Sequence, residues 1–230
     1  MNQPSRTIEN QTPSREAIGD LAGAGPVRLL DCDLEGADLG KLDLTGWVFE
    51  RCRLGQANLK GATLEVTRWS NCRGAGAVFK GASLEDARFI ASDFNNGIFR
   101  DATLSAASFE DCKLTGADFS GARALGARFT RTLLVSARLP GFDFRKERLA
   151  GVDLSSADLA NCDFRETVFE GSSLREANIE GARFEHADLR GADLGGLDIL
   201  GRSGRFRGAV VSAAQAEMIL AQTGIRVRAR

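Results

Sequence analysis

Residues 176–194 read EANIEGARFEHADLRGADL, with a large apolar residue at every fifth position. The same register runs without a slip from Leu29 to Ile199, where 35 such positions hold 18 Leu, 12 Phe, 2 Ile and one Trp. Gly74 and Ala124 are the two exceptions. A period of five matches neither the period of about 3.6 of an α-helix nor the alternation of a strand. The pattern therefore predicts a chain that turns a corner every five residues.

The other positions of the repeat are also regular. We call the large residue of each unit the central residue. The residue two before it is small, most often Ala or Cys, and the residue immediately before it is often Asp or Asn. Glycine is common two residues after it, where a corner needs backbone angles that other residues adopt at a cost. A fixed repeat of this kind is typical of a solenoid, in which each unit buries its apolar side chains against its neighbours.

The five cysteines indicate how many units make one coil. Each occupies a small position, and Cys32, Cys52, Cys72 and Cys112 are separated by multiples of 20 residues, which would stack them in one interior column of four-unit coils. An odd number of cysteines disfavours a disulfide framework, and a reducing cytoplasm is expected. Because no Cys-x-x-Cys pair occurs and the single histidine, His186, lies in another phase, we expect no metal ion and no cofactor.

The recurring Ala-(Asp/Asn)-(Leu/Phe) unit, as in SSADLANCDF (155–164) and GADLGG (191–196), resembles the pentapeptide-repeat family. The resemblance implies an all-β solenoid, a right-handed quadrilateral (four-sided) parallel β-helix of about nine coils with a C-terminal α-helix. At about 4.8 Å per stacked strand the rod would be about 40 Å long. We expect the β-helix at residues 27–201, a polar N-terminal lead or cap at 1–26 and a C-terminal capping and dimerisation helix at 202–230.

One irregularity interrupts the pattern at residues 140–149. Phe142 and Glu147 occupy two successive small positions, and Pro140 removes a donor from the ladder. Because burying an unpaired carboxylate is costly, we expect a bulged or outward-bent corner there. Both a tolerated irregularity and a functional protrusion fit this pattern.

The N-terminal lead is polar. Thr12 followed by Pro13 predicts a short helix through Asp20 or Leu21, with proline at its first position. The chain does not start with a basic segment followed by an apolar one, so we expect no secretory signal peptide. No apolar run approaches the roughly 18 residues that cross a membrane, so we expect no membrane association. The polar composition is also compatible with the export address of an effector protein.

The C-terminal segment predicts a helix. Ser212 and Gln215 match a capping box, residues 213–222 lack helix breakers, and Gly224 suits the C-cap. A solenoid needs a cap because its last coil exposes core and unpaired strand edge. The helix could close the rod or pack against a second copy in a two-fold dimer. We predict a homodimer through Met218, Ile219 and Leu220.

The tail VSAAQAEMILAQTGIRV (211–227) resembles the C-terminus of the Qnr-type and mycobacterial quinolone-resistance members of the family. The resemblance implies that this chain is a cytoplasmic bacterial protein that dimerises tail to tail. It also implies that the dimer acts as a DNA mimic towards a type II topoisomerase, DNA gyrase. It further implies antibiotic resistance, or modulation of gyrase-targeting agents. No loop interrupts the repeat here, as loops do in the Qnr proteins of Gram-negative bacteria, so this chain is more similar to the mycobacterial type.

The charge distribution favours the same interpretation. Residues 149–201 contain 11 acidic and 4 basic residues, while the net charge of −1 disfavours direct binding of nucleic acid. Duplex DNA is also a negatively charged rod, so an acidic rod can occupy a DNA-binding site by charge complementarity. We predict that the partner contacts the aspartates Asp153, Asp158, Asp163, Asp188, Asp193 and Asp198.

No catalytic constellation is visible in the sequence. The chain has one histidine, no Ser-His-Asp set and no phosphate-cradling glycine loop, so we expect no enzyme and no catalytic residues. The rival hypothesis is a scaffold or secreted effector protein that engages another protein through its solenoid faces. Its candidate surfaces are the apolar pair Val78 and Ile98 and the basic column Arg68, Arg88, Arg128 and Arg148.

Overall fold

The computed structural model describes residue 4 and residues 6–199 and 204–227. Short strands separated by turns make up the body, with one helix near each end. The strands are β1 (Arg6–Glu9), β2 (Val27–Leu30), β3 (Val48–Glu50), β4 (Arg68–Ser70), β5 (Arg88–Ile90), β6 (Ser108–Glu110), β7 (Arg128–Thr130), β8 (Arg148–Ala150), β9 (Val168–Ser173) and β10 (Asp188–Asp193). The helices are α1 (Arg15–Ala22) and α2 (Ala213–Ala221).

The ten strands form one parallel sheet in which spatial order equals chain order. From β2 onwards, paired residues lie 20 positions apart, as Phe49 and Trp69 do, except where a register shift pairs Gly191 with Glu170. Isolated parallel bridges with the same offset, such as that between Asp33 and Arg53, build three further sides. The chain is therefore a parallel β-solenoid of about nine coils with a small C-terminal helix, which confirms the predicted fold.

Four columns of outward residues, each one position before a central residue, define the four sides. Side A is the ten-stranded sheet. Side B runs from Asp33 to Asp193, side C from Asp38 to Asn178 and side D from Asp43 to Arg183. The corner residue two positions after a central residue has a positive φ, for example 65° at Gly36, which is why glycine recurs at that position.

The interior is filled by the central and the small residues. Leu59, Phe119 and Leu159 are fully buried, as the five-residue period predicts. Aromatic central residues of successive coils stack face to face, and the ring centroids are 4.7 Å apart both for Phe79 on Phe99 and for Phe99 on Phe119. Such stacking adds to the stabilisation that burial provides. All five cysteines are free and buried in this core.

The N-terminal segment adds a strand and a helix to the first coil. β1 pairs in parallel with β2 and so extends side A. α1 begins after Ser14, whose hydroxyl accepts a hydrogen bond from the backbone N–H of Ala17. The predicted helix start at Thr12 and Pro13 is therefore too early, because Ser14 supplies the capping oxygen. The helix covers the end of the core with its buried residues Ile18 and Leu21.

The stacking continues after Ile199. Phe206 stacks on Phe184 with ring centroids 4.8 Å apart, and Val210 bridges to Asp188. Residues 204–210 therefore lie on the last full coil. α2 follows directly and crosses that end of the rod.

α2 starts with the predicted capping box. The hydroxyl of Ser212 accepts the backbone N–H of Gln215 at 3.2 Å, and Oε1 of Gln215 accepts the backbone N–H of Ser212 at 2.7 Å. The C-cap is Gln222 rather than the predicted Gly224, which takes a positive φ of 80° two residues later. Glycine thus redirects the chain after the helix instead of ending it.

The ladder opens at one corner, between residues 121–129 and 141–149. On side D the column of bridges lacks a link from Arg123 to Asp143 within the described residues. On side A, β7 and β8 share only the pair Thr130 and Ala150, whereas β6 and β7 share three pairs. We call this opening the slit. It agrees with the outward bend predicted at residues 140–149.

Phe142 explains why the coils separate there. Its ring occupies a position that holds Ala or Cys from residue 62 to residue 182 in the other coils, yet it is buried, with its ring centroid 5.9 Å from that of Phe119 and 5.8 Å from that of Phe144. The residue one coil below is Ala122, and the nearby central residue is Ala124. Overpacking of an interior position forces backbone shifts, so the two coils do not approach to hydrogen-bonding distance.

Candidate protein-binding surface

The aspartates that precede central residues stabilise their own corners. Oδ1 of Asp33, Asp153 and Asp193 accepts the backbone N–H of the residue two positions later, at 3.1, 3.0 and 2.9 Å. This arrangement is an Asx turn, for which aspartate and asparagine are favoured. The frequency of aspartate therefore has a structural cause, and a functional role must be argued from where the negative charge remains uncompensated.

The six predicted partner-binding aspartates surround the last coils instead of forming one line. They lie on side A (Asp188), side B (Asp153 and Asp193), side C (Asp158, with Asp198 in the same register) and side D (Asp163). No flat partner surface can contact all of them at once. The structure therefore divides the predicted set into subsets that face different directions.

Three of the six aspartates are paired with arginines. The guanidinium nitrogens lie 2.6 Å from the carboxylate in the pairs Asp163–Arg165 and Asp188–Arg190 and 2.9 Å from it in Asp193–Arg175. The two exposed pairs, Asp188–Arg190 and Asp193–Arg175, add little stability, and the pair Asp163–Arg165 is half-buried, but each places a positive charge beside the carboxylate. The three aspartates consequently present a weakened negative field to a partner.

The arginines also change the acidity of two of these groups. Burial acts to raise the pKa of Asp163, but hydrogen bonds from the Arg165 side chain and backbone outweigh it and hold the pKa below its usual value. The side-chain hydrogen bond from Arg190 lowers the pKa of Asp188 in the same way. Both carboxylates are thus ionised at neutral pH and engaged within the chain.

A second group of acidic residues forms no ion pair within the part of the chain that the structure describes. Within the described ranges, Asp153 and Asp158 form no ion pair, although Oδ1 of Asp158 accepts a hydrogen bond from Asn178 at 2.9 Å. Glu176 and Glu180 are exposed and also lack an ion pair there. Asp153 is on side B, Asp158 and Glu180 are on side C, and Glu176 is at the corner between them. We call these four residues the acidic patch.

Glu176 and Glu180 are absent from the predicted set. The predicted set contains only residues that directly precede a central residue, because aspartate recurs there. Their positions in the repeat could have indicated the two glutamates. Glu180 directly follows the central residue Ile179, and Glu176 is two residues after the central residue Leu174. Both positions are exposed or half-buried in most coils, so the same repeat could have identified them.

The predicted dimer residues on α2 do not share one face. Ile219 is only 8% exposed and packs into the core of its own chain, so it is not available to a partner. Met218 is 37% exposed and Leu220 is half-buried. Ile225 and Val227, after the helix, are more exposed than either. The apolar surface at this end thus consists of Met218, part of Leu220 and the following segment.

The surface offers charge and hydrogen bonding rather than reactive groups. Among the described residues, no cluster of three or more His, Cys, Asp or Glu side chains could hold a metal ion. Burial raises the pKa of Cys112 to about 11 and that of Cys162 to about 12, so these thiols stay protonated at neutral pH. His186 is exposed at a corner. None of the described helices has the length and apolar character to cross a membrane.

Comparison with known sequences identifies the repeat. The family profile described as "Pentapeptide repeat region" matches residues 67–139. The profile described as "Pentapeptide repeats (8 copies)" matches residues 28–65, 148–185 and 169–199. Together they cover most of the chain. None of the curated protein sequences compared with this chain matches it.

Two solved structures illustrate the similarity of fold. HetL, a protein involved in heterocyst differentiation regulation from the cyanobacterium Nostoc sp. strain PCC 7120, is 23% identical with a TM-score of 0.67, over 82% of this chain and 88% of HetL. QnrB1, a plasmid-mediated fluoroquinolone resistance protein, is 22% identical with a TM-score of 0.60, over 97% of this chain and 99% of QnrB1. At these identities the comparison establishes the fold.

Proposed function

The chain belongs to the pentapeptide-repeat family, and we propose that it is a non-enzymatic protein that binds a type II topoisomerase, DNA gyrase, by imitating duplex DNA. Binding would confer resistance to gyrase-targeting agents such as quinolones or modulate their effect. The fluoroquinolone resistance attributed to QnrB1, which has the same fold, supports this proposal. The five free cysteines support a reducing bacterial cytoplasm as its location.

The acidic patch is the observation that carries the proposal. Its four carboxylates lie on two adjacent sides of the rod, in coils stacked about 4.8 Å apart, and form no ion pair among the described residues, although Arg138 precedes Asp158 in the side C column. DNA likewise presents closely spaced negative charges along a rigid rod. A protein groove lined with basic residues would therefore attract this part of the solenoid, and electrostatic complementarity would set both orientation and association rate.

We further propose that α2 joins two copies in a homodimer. The exposed apolar residues Met218, Ile225 and Val227, with the half-buried Leu220, follow directly after the acidic coils. A two-fold axis through this self-complementary surface would place both acidic patches near the middle of a particle about 80 Å long. The negative charge would then extend on both sides of the dimer seam.

Gyrase supercoiling measured with the purified chain, with and without a quinolone, tests the proposal. The informative variant carries Asp153→Asn, Asp158→Asn, Glu176→Gln and Glu180→Gln. We expect at least a tenfold loss of potency, because the charge is removed while the amide oxygen of each asparagine keeps the Asx-turn acceptor. Its matched control is Glu85→Gln with Asp86→Asn, two exposed acids of the N-terminal half, which should retain full potency.

Two results would count against the proposal. Lack of any effect of the wild-type chain on supercoiling or on quinolone inhibition would reject gyrase as the partner and favour a scaffold or effector role. A normal effect of the fourfold variant would reject the acidic patch as the mimic. An equal loss in the control pair would indicate dependence on net charge alone.

A further inference from the structure

The slit leaves backbone groups of the ladder without partners. One coil earlier, the N–H of Leu104 donates to the carbonyl of Arg123 at 2.7 Å, and that of Ala106 donates to the carbonyl of Leu125 at 2.9 Å. Twenty residues later, the N–H groups of Ala124 and Gly126 have no acceptor within the described chain. The backbone N–H groups of Asp143 and Arg148, on the opposite edge, are likewise without one. Native backbone groups rarely remain unpaired unless water or a ligand satisfies them.

The slit is open to solvent. It forms a cleft of about 330 Å³ lined by Leu125, Gly126, Asp143, Arg145, Lys146 and Glu147. Leu125 is 75% exposed, the largest value among the described large apolar residues. An exposed leucine beside unpaired backbone donors offers an apolar contact and hydrogen bonds at the same place.

The slit lies in a basic part of the solenoid. Residues 121–150 contain seven basic and two acidic residues, in a chain of net charge −1. Some of these bases are paired, as Lys146 is with Glu166 at 3.9 Å. Arg128, at the side A end of the slit, has no acidic partner among the described residues. The positive charge near the slit thus exceeds what the chain itself neutralises.

We propose that the slit is a docking site for an extended, acidic peptide segment of a protein partner. An extended segment presents carbonyl groups at the spacing of the unpaired N–H groups of Ala124 and Gly126, which are two residues apart, as in the addition of a strand to a sheet. Its apolar side chains would cover Leu125. Its carboxylates would face Arg128 and Lys146.

A nucleic acid fits these groups less well than a peptide. The unpaired backbone groups include carbonyls as well as N–H donors, because the carbonyls of Ala122 and Asp143 accept no backbone N–H among the described residues. A peptide backbone complements both kinds of group, whereas a phosphodiester chain offers acceptors only. The site is on sides A and D, whereas the acidic patch is on sides B and C, so the two surfaces could be occupied independently.

The direct test is fluorescence anisotropy with a labelled octapeptide of alternating aspartate and leucine. We expect a Kd below about 100 µM. The combination of Arg128→Ala and Lys146→Asn should weaken binding at least tenfold, asparagine being chosen because it tolerates the positive φ of 61° at that corner. The control Arg88→Ala alters the same column where the ladder is closed and should change Kd less than twofold.

A second variant tests the slit itself. Ala124→Leu with Phe142→Ala restores the repeat at both positions and should close the ladder. In the wild-type chain, the amides of residues 124, 126, 143 and 148 should exchange with deuterium faster than those of residues 104 and 106. In the double variant they should become protected, and peptide binding should disappear. The variant Arg128→Ala with Lys146→Asn changes only exposed side chains, so it tests peptide binding without repacking the core.

Several outcomes would overturn the proposal. One is the absence of binding at 1 mM acidic peptide. Another is equal affinity for an alternating lysine–leucine octapeptide, or for oligo(dT), which would mean a sticky or generally polyanion-binding surface. Slow exchange of the four amides in the wild-type chain would show that the ladder is closed in solution.

Discussion

The side-chain amide of Gln215 donates a hydrogen bond of 2.7 Å to the carbonyl oxygen of Leu189, and a second of equal length to Ala192. Both carbonyls belong to β10, the last strand of the sheet. The same side chain accepts the backbone N–H of Ser212 at the start of α2. One buried glutamine thus caps the helix and satisfies the end of the solenoid.

Replacing Gln215 with methionine should destabilise the rod. The change keeps most of the volume but leaves two carbonyl groups of β10 unsatisfied, which costs about 1–3 kcal/mol. Equilibrium urea unfolding measures the loss. The control is Gln222→Met. The amide of Gln222 reaches the carbonyl of Leu197 only at 3.4 Å, so its loss should change the free energy of unfolding by less than about 0.5 kcal/mol. Equal losses in both variants would contradict a capping role specific to Gln215.

Gly74→Ala should destabilise the core by steric overlap. A Cβ atom at this central position would lie 2.2 Å from Cε1 of Phe94, which fills the space that a larger central residue would take. Overpacking of this kind costs about 1–3 kcal/mol. Gly23→Ala is the matched control, because no atom lies within 4 Å of its Cβ position and its φ is −73°. If thermal unfolding finds the two variants equally stable, Phe94 moves aside at no cost.

Acid should weaken the fold partly through Asp163. Its pKa is lowered in the folded chain, so its contribution to stability is complete above the ordinary value of 3.8 and is lost as the pH falls through the folded-state value. Arg165→Gln should therefore reduce the loss of stability below pH 3.8, measured by urea unfolding at several pH values. The control is Arg73→Gln. The guanidinium of Arg73 forms no ion pair with the described residues, so this variant should leave the pH dependence of stability unchanged. Identical profiles for wild type and Arg165→Gln would refute this linkage.

The combination of Met218→Glu and Ile225→Glu should convert the proposed dimer into a monomer. Charged side chains at a two-fold seam repel their symmetry mates, and both residues are exposed in the single chain. Sedimentation velocity measures the mass. Ile90→Glu, a change of an exposed apolar residue far from α2, should leave the dimer intact. A wild-type chain that already sediments as a monomer would reject the seam.

The interior could be predicted residue by residue. A five-residue period places one side chain of each unit inside, whatever residues lie at the other positions, so Leu59, Phe119 and Leu159 are buried as expected. The capping box of Ser212 and Gln215 is similarly local, since its two hydrogen bonds join residues three positions apart. Both features depend only on the spacing of residues along the chain, so the sequence is sufficient to predict them.

The slit was predictable only in outline. Phe142 and Glu147 break the repeat visibly, but the extent of the opening depends on which residues lie one coil below. Ala124 leaves space there, and the Phe142 ring uses part of it. How far two coils separate is decided by packing across a boundary of 20 residues, which a local pattern does not contain.

The same distinction holds for the surface. The amino-acid order alone specified a solenoid of five-residue units with aspartates outside, because a constant period imposes the same geometry on every unit, and its resemblance to the pentapeptide-repeat family implied the four sides. Coil-to-coil contacts added an ion pair that local spacing does not contain: Arg175 and Asp193 are 18 residues apart, yet adjacent coils bring them together, whereas Arg165 and Arg190 pair with aspartates only two residues away. Tertiary contacts also decided the role of Ile219. It packs in the core of its own chain, because an amphipathic helix buries the face that contacts the last coil.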